Sequence, residues 1–176
     1  MTFFYYQQNL TYNMKHLKYF EDVDFDNEHD IKTIVDNYCI TALFTEEVQN
    51  KGDEVDEFEG KTIYDFDKDS IDNITTEVEW FISAAGDSLE DLSDDVIGSD
   101  LWYTRNGHGV GFFDRGLDDN NLEDIEGLCK ILGDSYIYTK KNGEIEYQSS
   151  KKYQSINLVE YKKKKELEKI SKKFNV

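Results

Sequence analysis

The sequence has little of what secreted, membrane-spanning and metal-binding proteins are built from. Its two cysteines, Cys39 and Cys129, have apolar neighbours and no paired spacing, so we predict buried free thiols rather than a disulfide or a zinc site. No apolar run approaches the roughly 20 residues that span a bilayer. The first residues lack the basic and apolar regions of a secretion signal. These absences favour a cytoplasmic protein that does not bind membranes.

Recognisable catalytic motifs are also missing. None of the three histidines belongs to an HxH or HExxH pattern, and neither a GxSxG motif nor a phosphate-binding glycine loop is present. The acids between Asp65 and Asp69 match the first three ligand positions of an EF-hand loop. However, Ser70 and Thr76 stand where that loop needs its glycine and its bidentate glutamate. We therefore expect no catalytic residue, no metal and no cofactor.

Positive charge is scarce as well. With 38 Asp and Glu against 20 Lys and Arg, the 176 residues carry a formal charge of −18, which exceeds the magnitude of about 2 to 8 that keeps a small domain soluble. Such a field repels nucleic acid and anionic membranes, and it favours a basic protein partner or bound cations. The length allows one domain of ordinary size.

The charge is distributed unevenly along the chain. Residues 21–100 carry 26 acids and four bases, whereas residues 151–176 carry nine lysines and three glutamates. We therefore divide the chain into a single acidic domain over residues 1–150 and a basic helical tail over residues 151–176. The tail is expected to dock on its own acidic body or on that of a second copy. The sequence leaves the oligomeric state open.

Hydrophobic periodicity predicts an α+β fold of N-terminal helices, a small antiparallel sheet of two β-hairpins flanking a helix, and a basic C-terminal helix. The predicted helices run over about 31–49, from a cap at Ser70 to Gly86, over about 87–95, and from the Asn120–Asn121 region to Gly133. A short strand is expected near Thr62–Tyr64. In the C-terminal helix, which begins at Leu158, three residues form the apolar side: Leu167, Ile170 and Phe174.

Two Asn-Gly pairs between strand-like segments indicate the hairpins. The first hairpin joins Leu101–Arg105 to Val110–Asp114 through Asn106-Gly107-His108-Gly109. The second joins Tyr136–Lys141 to Glu144–Tyr147 at Asn142-Gly143, which would set Lys141 opposite Glu144.

The run DLWYTRNGHGVGFFDRG, residues 100–116, resembles a segment of small acidic proteins from bacteriophages and mobile elements. In those proteins an aromatic residue precedes TRNGHG, and GF, an aromatic residue and DRG follow it. The resemblance extends over a motif-bearing core of about residues 38–147, with Phe113 where a tryptophan is expected. It implies a phage or mobile-element setting. By analogy with other acidic phage proteins, it implies an inhibitor of host defence, either anti-CRISPR or anti-restriction, in the host cytosol.

The acids between residues 53 and 95 are the predicted partner-binding surface, in which carboxylates stand in for DNA or RNA phosphates. On a helix over residues 87–95, five of them would share one face, at i, i+3, i+4, i+7 and i+8. The alternative is an ordinary solvated surface of an acidic protein. The predicted residues are Asp53, Glu54, Asp56, Glu57, Glu59, Asp65, Asp67, Asp87, Glu90, Asp91, Asp94 and Asp95.

The tip of the first predicted hairpin is a second candidate, a binding loop formed by Arg105, Asn106, His108 and Arg115. Turn geometry, with an arginine paired to a local acid such as Asp114, explains the same residues without any function. Three functions remain open. The first is an inhibitor that fills the nucleic-acid groove of a host nuclease complex. The second is a small enzyme that uses Arg105, His108 and Asp114 on a nucleotide or phosphorylated substrate. The third is a structural or regulatory phage protein that binds a cationic partner.

Overall fold

A computed structural model describes residues 29–49, 57–150 and 152–174, and within them the chain forms five α-helices and one two-stranded antiparallel sheet. The predicted α+β class is confirmed. Among these residues, no helix combines the length and the apolarity needed to cross a membrane. The elements are α1 Ile31–Gln49, α2 Lys68–Ala85, α3 Asp94–Asn106, α4 Asp119–Leu132, β1 Ser135–Thr139, β2 Ile145–Ser149 and α5 Leu158–Phe174.

Helices α1 and α3 pack closely at the centre of the core. Gly98 makes this approach possible, because a Cβ atom at that position would collide with the Ile34 carbonyl oxygen. Tyr38 of α1 meets Trp102 of α3 edge to face with ring centroids 5.3 Å apart, and Trp102 Nε1 donates to Thr45 Oγ1 at 2.8 Å. The bounds of α1 confirm the predicted first helix at both ends. Its buried side chains form one side of the core.

Helix α2 begins three residues earlier than predicted. Asp67, in extended conformation, is its N-cap and accepts a hydrogen bond from Ser70 N at 2.7 Å. Ser70 is instead buried, and its Oγ accepts from Tyr147 N at 2.8 Å, which attaches the sheet to α2. The predicted end at Gly86 is confirmed, since Gly86 is the C-cap with φ of 51°.

The first predicted hairpin is wrong. Residues 101–106 form the last turns of α3, and Gly107 ends the helix in the left-handed conformation with φ of 70°. An Asn-Gly pair satisfies a helix C-terminus as well as a hairpin turn. Here Leu101, Trp102 and Arg105 are buried at helical spacing, so packing selects the helix. The segment after it forms only a 3-10 turn, Phe112–Asp114.

The second hairpin is the sheet of the structure, with Ser135 opposite Ser149 and Thr139 opposite Ile145. Its loop holds three residues, because Lys140 N donates to Glu144 O at 2.8 Å. Lys140, rather than Lys141, therefore pairs with Glu144, at 2.9 Å. Residues 62–64 form no strand: Ile63–Asp65 is a 3-10 turn.

Helix α4 covers the core beside the sheet. Asp118 is its N-cap rather than the predicted Asn120–Asn121 region, and Gly133 ends it as predicted. Cys129 of α4 and Cys39 of α1 are buried and form no disulfide, which confirms the predicted free thiols. Burial raises the pKa of each thiol to about 12, so both stay protonated and unreactive at neutral pH.

Candidate functional site

Nine of the twelve predicted partner-binding acids lie in the described residues. Asp53, Glu54 and Asp56 fall outside them. The nine fall into two groups: three whose carboxylates hold segments of the fold together, and six that are exposed and have no cationic nitrogen within 4 Å among the described residues.

Asp65, Asp67 and Asp94 have structural roles. Asp65 accepts from Thr62 N at 2.8 Å, and the hydrogen bonds from Thr62 lower the pKa of this carboxyl. Asp67 caps α2 and lies 2.9 Å from Lys140 Nζ; although burial opposes the shift, these bonds lower its pKa. Asp94 accepts from His29 Nδ1 at 2.7 Å and from Asp30 N at 2.9 Å, which ties the start of α3 to that of α1.

The predicted helix over residues 87–95 does not exist as one helix. Gly86–Leu89 is a 3-10 turn, and Ser93 is extended as the N-cap of α3. The five acids therefore do not share one helical face, and that prediction is wrong. Asp94 and Asp95 lie in the first turn of α3, where the helix dipole stabilises negative charge and offsets their mutual repulsion.

Six acids remain exposed: Glu57, Glu59, Asp87, Glu90, Asp91 and Asp95. Within the described ranges, no lysine, arginine or histidine nitrogen lies within 4 Å of these six carboxylates. Asp87, Glu90 and Asp91 occupy the connection from α2 to α3, and Glu57 and Glu59 flank the buried Phe58 in a turn. We call the group of three in the connection, Asp87, Glu90 and Asp91, the acidic turn.

Arg105 is not part of an exposed loop. Its side chain points into the core, where Nη1 donates to Glu77 Oε2 at 2.7 Å, Tyr147 OH at 2.8 Å and Tyr38 OH at 2.9 Å. Its Nε donates to Gly133 O at 2.8 Å, at the end of α4. The residue is 5% exposed and Glu77 is 2% exposed. Arg105 therefore joins four elements of the fold, and the prediction that it lies in an exposed hairpin loop is wrong.

Asn106 and His108 are also held by the fold. Asn106 Oδ1 accepts from Ser135 N at 2.9 Å, which links the end of α3 to β1. The His108 ring stacks on Trp102, with centroids 6.3 Å apart, and meets Tyr103 edge-on. Burial lowers the pKa of His108, which favours the neutral form of the ring. Its Nε2 is buried and has no hydrogen-bond partner among the described residues.

Arg115 pairs with a local acid, as the alternative interpretation expects, but the acid is Asp100. Nε and Nη2 donate to the two Asp100 oxygens at 2.6 and 2.8 Å, in a bidentate arrangement. Asp100 is fully buried, whereas the Arg115 side chain is partly exposed. Asp114 accepts instead from Gly111 N at 3.2 Å. Of the four loop candidates, Arg115 is the one that keeps charged atoms at the surface.

A groove of about 810 Å³ runs beside the motif, between the end of α3, α4 and the sheet. Exposed apolar side chains line part of it: Val110, Phe113 and Tyr136. Lysines and acids are balanced on its remaining walls, which hold Lys130, Lys152, Glu126 and Asp134. Its one thiol, Cys129, has a pKa of about 12 and is no nucleophile at neutral pH.

Two buried acids, Glu77 and Asp100, are the partners that the sequence predictions missed. Glu77 accepts from Arg105, from Tyr147 OH at 2.6 Å and from Ser149 Oγ. The position of Glu77 in the sequence could have indicated its burial, since it falls on the apolar face of α2 between Ile74 and Phe81. An acid on such a face is buried only when it is paired.

In comparisons of this chain with protein-family models, curated proteins and solved structures, nothing matches.

Proposed function

We propose that this protein is a phage-encoded inhibitor of a host defence nuclease complex, of the anti-CRISPR or anti-restriction type, and that it acts in the host cytosol by binding a basic protein surface. The observation that carries the proposal is the set of six exposed carboxylates without a cationic partner in the described ranges. Asp95 also accepts a hydrogen bond from Ser93, and the charges of Asp87 and Lys162 attract each other, but within the described ranges none of the six forms an ion pair at 4 Å or less. A basic groove that normally holds nucleic acid is the complementary surface.

The acidic turn is the centre of the proposed contact. Its three carboxylates fall within nine residues of the start of α3, beside Asp95, which is also exposed. Neighbouring carboxylates on a folded backbone resemble the phosphates along a strand in charge, and binding then orders their side chains but not the backbone. Because charge attraction dominates such a contact, affinity is expected to fall steeply as salt is added.

The enzyme alternative requires Arg105, His108 and Asp114 to act together on one substrate. In the fold each has a different environment: Arg105 bonds to Glu77, His108 packs on Trp102, and Asp114 accepts from Gly111 N. A nucleophile–base pair would require two of these side chains within hydrogen-bond reach of one another. We therefore favour binding over catalysis.

The test compares two triple variants that remove the same charge. The first, Asp87→Asn with Glu90→Gln and Asp91→Asn, neutralises the acidic turn. The control, Asp119→Asn with Asp134→Asn and Glu160→Gln, neutralises three exposed acids elsewhere. Each protein is mixed with purified CRISPR effector and restriction complexes, and binding of labelled DNA is measured at two salt concentrations.

Loss of the acidic turn is expected to weaken inhibition by on the order of 10-fold or more, with the control within about 2-fold of the wild type. Equal weakening in both variants would show a diffuse effect of net charge without a defined surface. Unchanged inhibition in the acidic-turn variant, or no inhibition by the wild type of any complex, would contradict the proposal.

A further inference from the structure

The C-terminal helix α5 contacts the rest of the protein through the side that holds Tyr161, which packs against the core, and three lysines that reach neighbouring helices. Lys165 Nζ lies 2.8 Å from Asp124 Oδ1, and Lys172 Nζ lies 2.9 Å from Glu123 Oε2, both on α4. Lys162 Nζ lies 3.5 Å from Ser83 Oγ on α2. Leu158, at the start of the helix, is the one buried apolar side chain among its described residues.

Two of the three predicted apolar-side residues, Leu167 and Ile170, face outward together with Val159, and the side chain of Phe174 lies outside the described part of the structure. Val159 and Leu167 are each 58% exposed, and Ile170 is 47% exposed. These residues lie at i, i+8 and i+11, which is one helical face, and Lys163 and Glu166 fall on the same face at i+4 and i+7. A surface helix normally turns its apolar stripe toward the core. Here the ion pairs with α4 hold the stripe in solvent, so it is available to a partner.

We infer that the partner is a second copy of this chain, with the two α5 helices antiparallel across a two-fold axis. In the register that sets Val159 of one copy against Ile170 of the other, Lys163 faces Glu166, and symmetry repeats both contacts. One register therefore pairs apolar with apolar and opposite charges with each other. Within the described residues, neither Lys163 nor Glu166 has an oppositely charged nitrogen or oxygen within 4 Å.

The self-association is favoured over an anionic lipid surface by charge. Glu166 lies on this face, where anionic headgroups would meet a charge of their own sign, whereas in the two-fold register it meets Lys163. A two-fold axis needs one patch that is complementary to itself, which this register provides. Because few apolar side chains take part, the interface falls at the small end, below about 1,200 Å² in total, and the dimer is reversible.

The inference is independent of the proposed nuclease target, and charge exchange tests it. Sedimentation equilibrium is measured on the full chain over a concentration range on the order of 1 to 300 μM, since a reversible dimer depends on protomer concentration. Lys163→Glu or Glu166→Lys places like charges together twice, and each is expected to weaken association on the order of 10-fold. The double variant restores opposite charges and is expected to restore association.

Lys164→Glu is the matched control, because it makes the same charge change one residue away, off the apolar face, and is expected to dimerise like the wild type. Ile170→Glu is expected to give a monomer, and circular dichroism verifies that each variant retains its helices. A wild-type monomer at all concentrations, or a double variant that stays as weak as the singles, overturns the inference. So does a monomer that cosediments with phosphatidylserine vesicles through Ile170, since the partner is then a lipid surface.

Discussion

Replacing Glu77 by Gln removes the buried negative charge beside Arg105 and almost preserves the shape of the side chain. The carboxylate accepts from Arg105 Nη1 at 2.7 Å, from Tyr147 OH at 2.6 Å and from Ser149 Oγ. The amide oxygen of Gln can still accept the first two hydrogen bonds. The change therefore isolates the cost of leaving a guanidinium, 5% exposed, without its counter-charge.

Removing one partner of a buried ion pair lowers the free energy of unfolding by about 3 to 5 kcal/mol. Because Gln retains two of the hydrogen bonds, we expect Glu77→Gln to lower it by about 3 kcal/mol. With an m-value of about 2 kcal/mol per molar, the urea midpoint should fall by about 1.5 M. Unfolding is followed by far-UV circular dichroism and by aromatic fluorescence, and coincident transitions verify two-state behaviour.

Glu79→Gln is the control, since it makes the same chemical change two residues along α2. Burial raises the pKa of Glu79, so its ionised form slightly disfavours the fold, and Gln is expected to leave the free energy of unfolding unchanged or raise it by less than about 0.5 kcal/mol. A double variant, Glu77→Leu with Arg105→Met, removes both charges and is expected to be more stable than either single change. If Glu77→Gln unfolds within about 0.5 kcal/mol of the wild type, the buried pair does not stabilise the fold as argued.

Two further predictions follow from ionisation. The hydrogen bonds of Asp67 to Lys140 and Ser70 lower its pKa in the folded state. The ionised carboxylate therefore stabilises the fold above about pH 4, and this contribution to the free energy of unfolding is lost as the pH falls through the folded-state pKa. Asp67→Asn keeps an N-cap but loses the charge. Its urea midpoint should lie below that of the wild type at pH 7, and the difference should narrow toward about pH 2; a difference independent of pH would refute this. The thiols of Cys39 and Cys129, with pKa values of about 12, should react with a disulfide reagent far more slowly in the native protein than in urea at pH 8; equal rates would show that they are accessible.

Local signals in the sequence were sufficient for much of the secondary structure. The apolar spacing of α1, the glycines at 86 and 133, and the Asn142-Gly143 turn act within a few residues, so their consequences can be read without knowing the fold. Even there, details of one residue depend on context. The hairpin loop holds three residues rather than two, and this shifts the charge pair from Lys141 to Lys140.

The prediction of the first hairpin failed because one local signal suits two structures. Asn106-Gly107 ends a helix as readily as it turns a hairpin, and only the burial of Leu101 and Trp102 against α1 decides between them. That choice also changes Arg105 from an exposed loop residue to a buried one. The predicted helix over residues 87–95 was wrong for a related reason. A run of acids at helical spacing does not reveal that Ser93 is the N-cap of a new helix.

The sequence by itself determined the acidic body, the basic tail, the α+β class and the free thiols, because composition and short-range periodicity do not depend on which elements meet. Only the tertiary structure decided which charged side chains form ion pairs within the fold. Glu77 meets Arg105 from 28 residues away, and Asp94 meets His29 from 65 residues away. The tertiary structure also turned Val159, Leu167 and Ile170 of α5 outward, since the ion pairs of α5 with α4 orient that helix. Pairings between distant segments follow from how the core packs, and no local pattern encodes them.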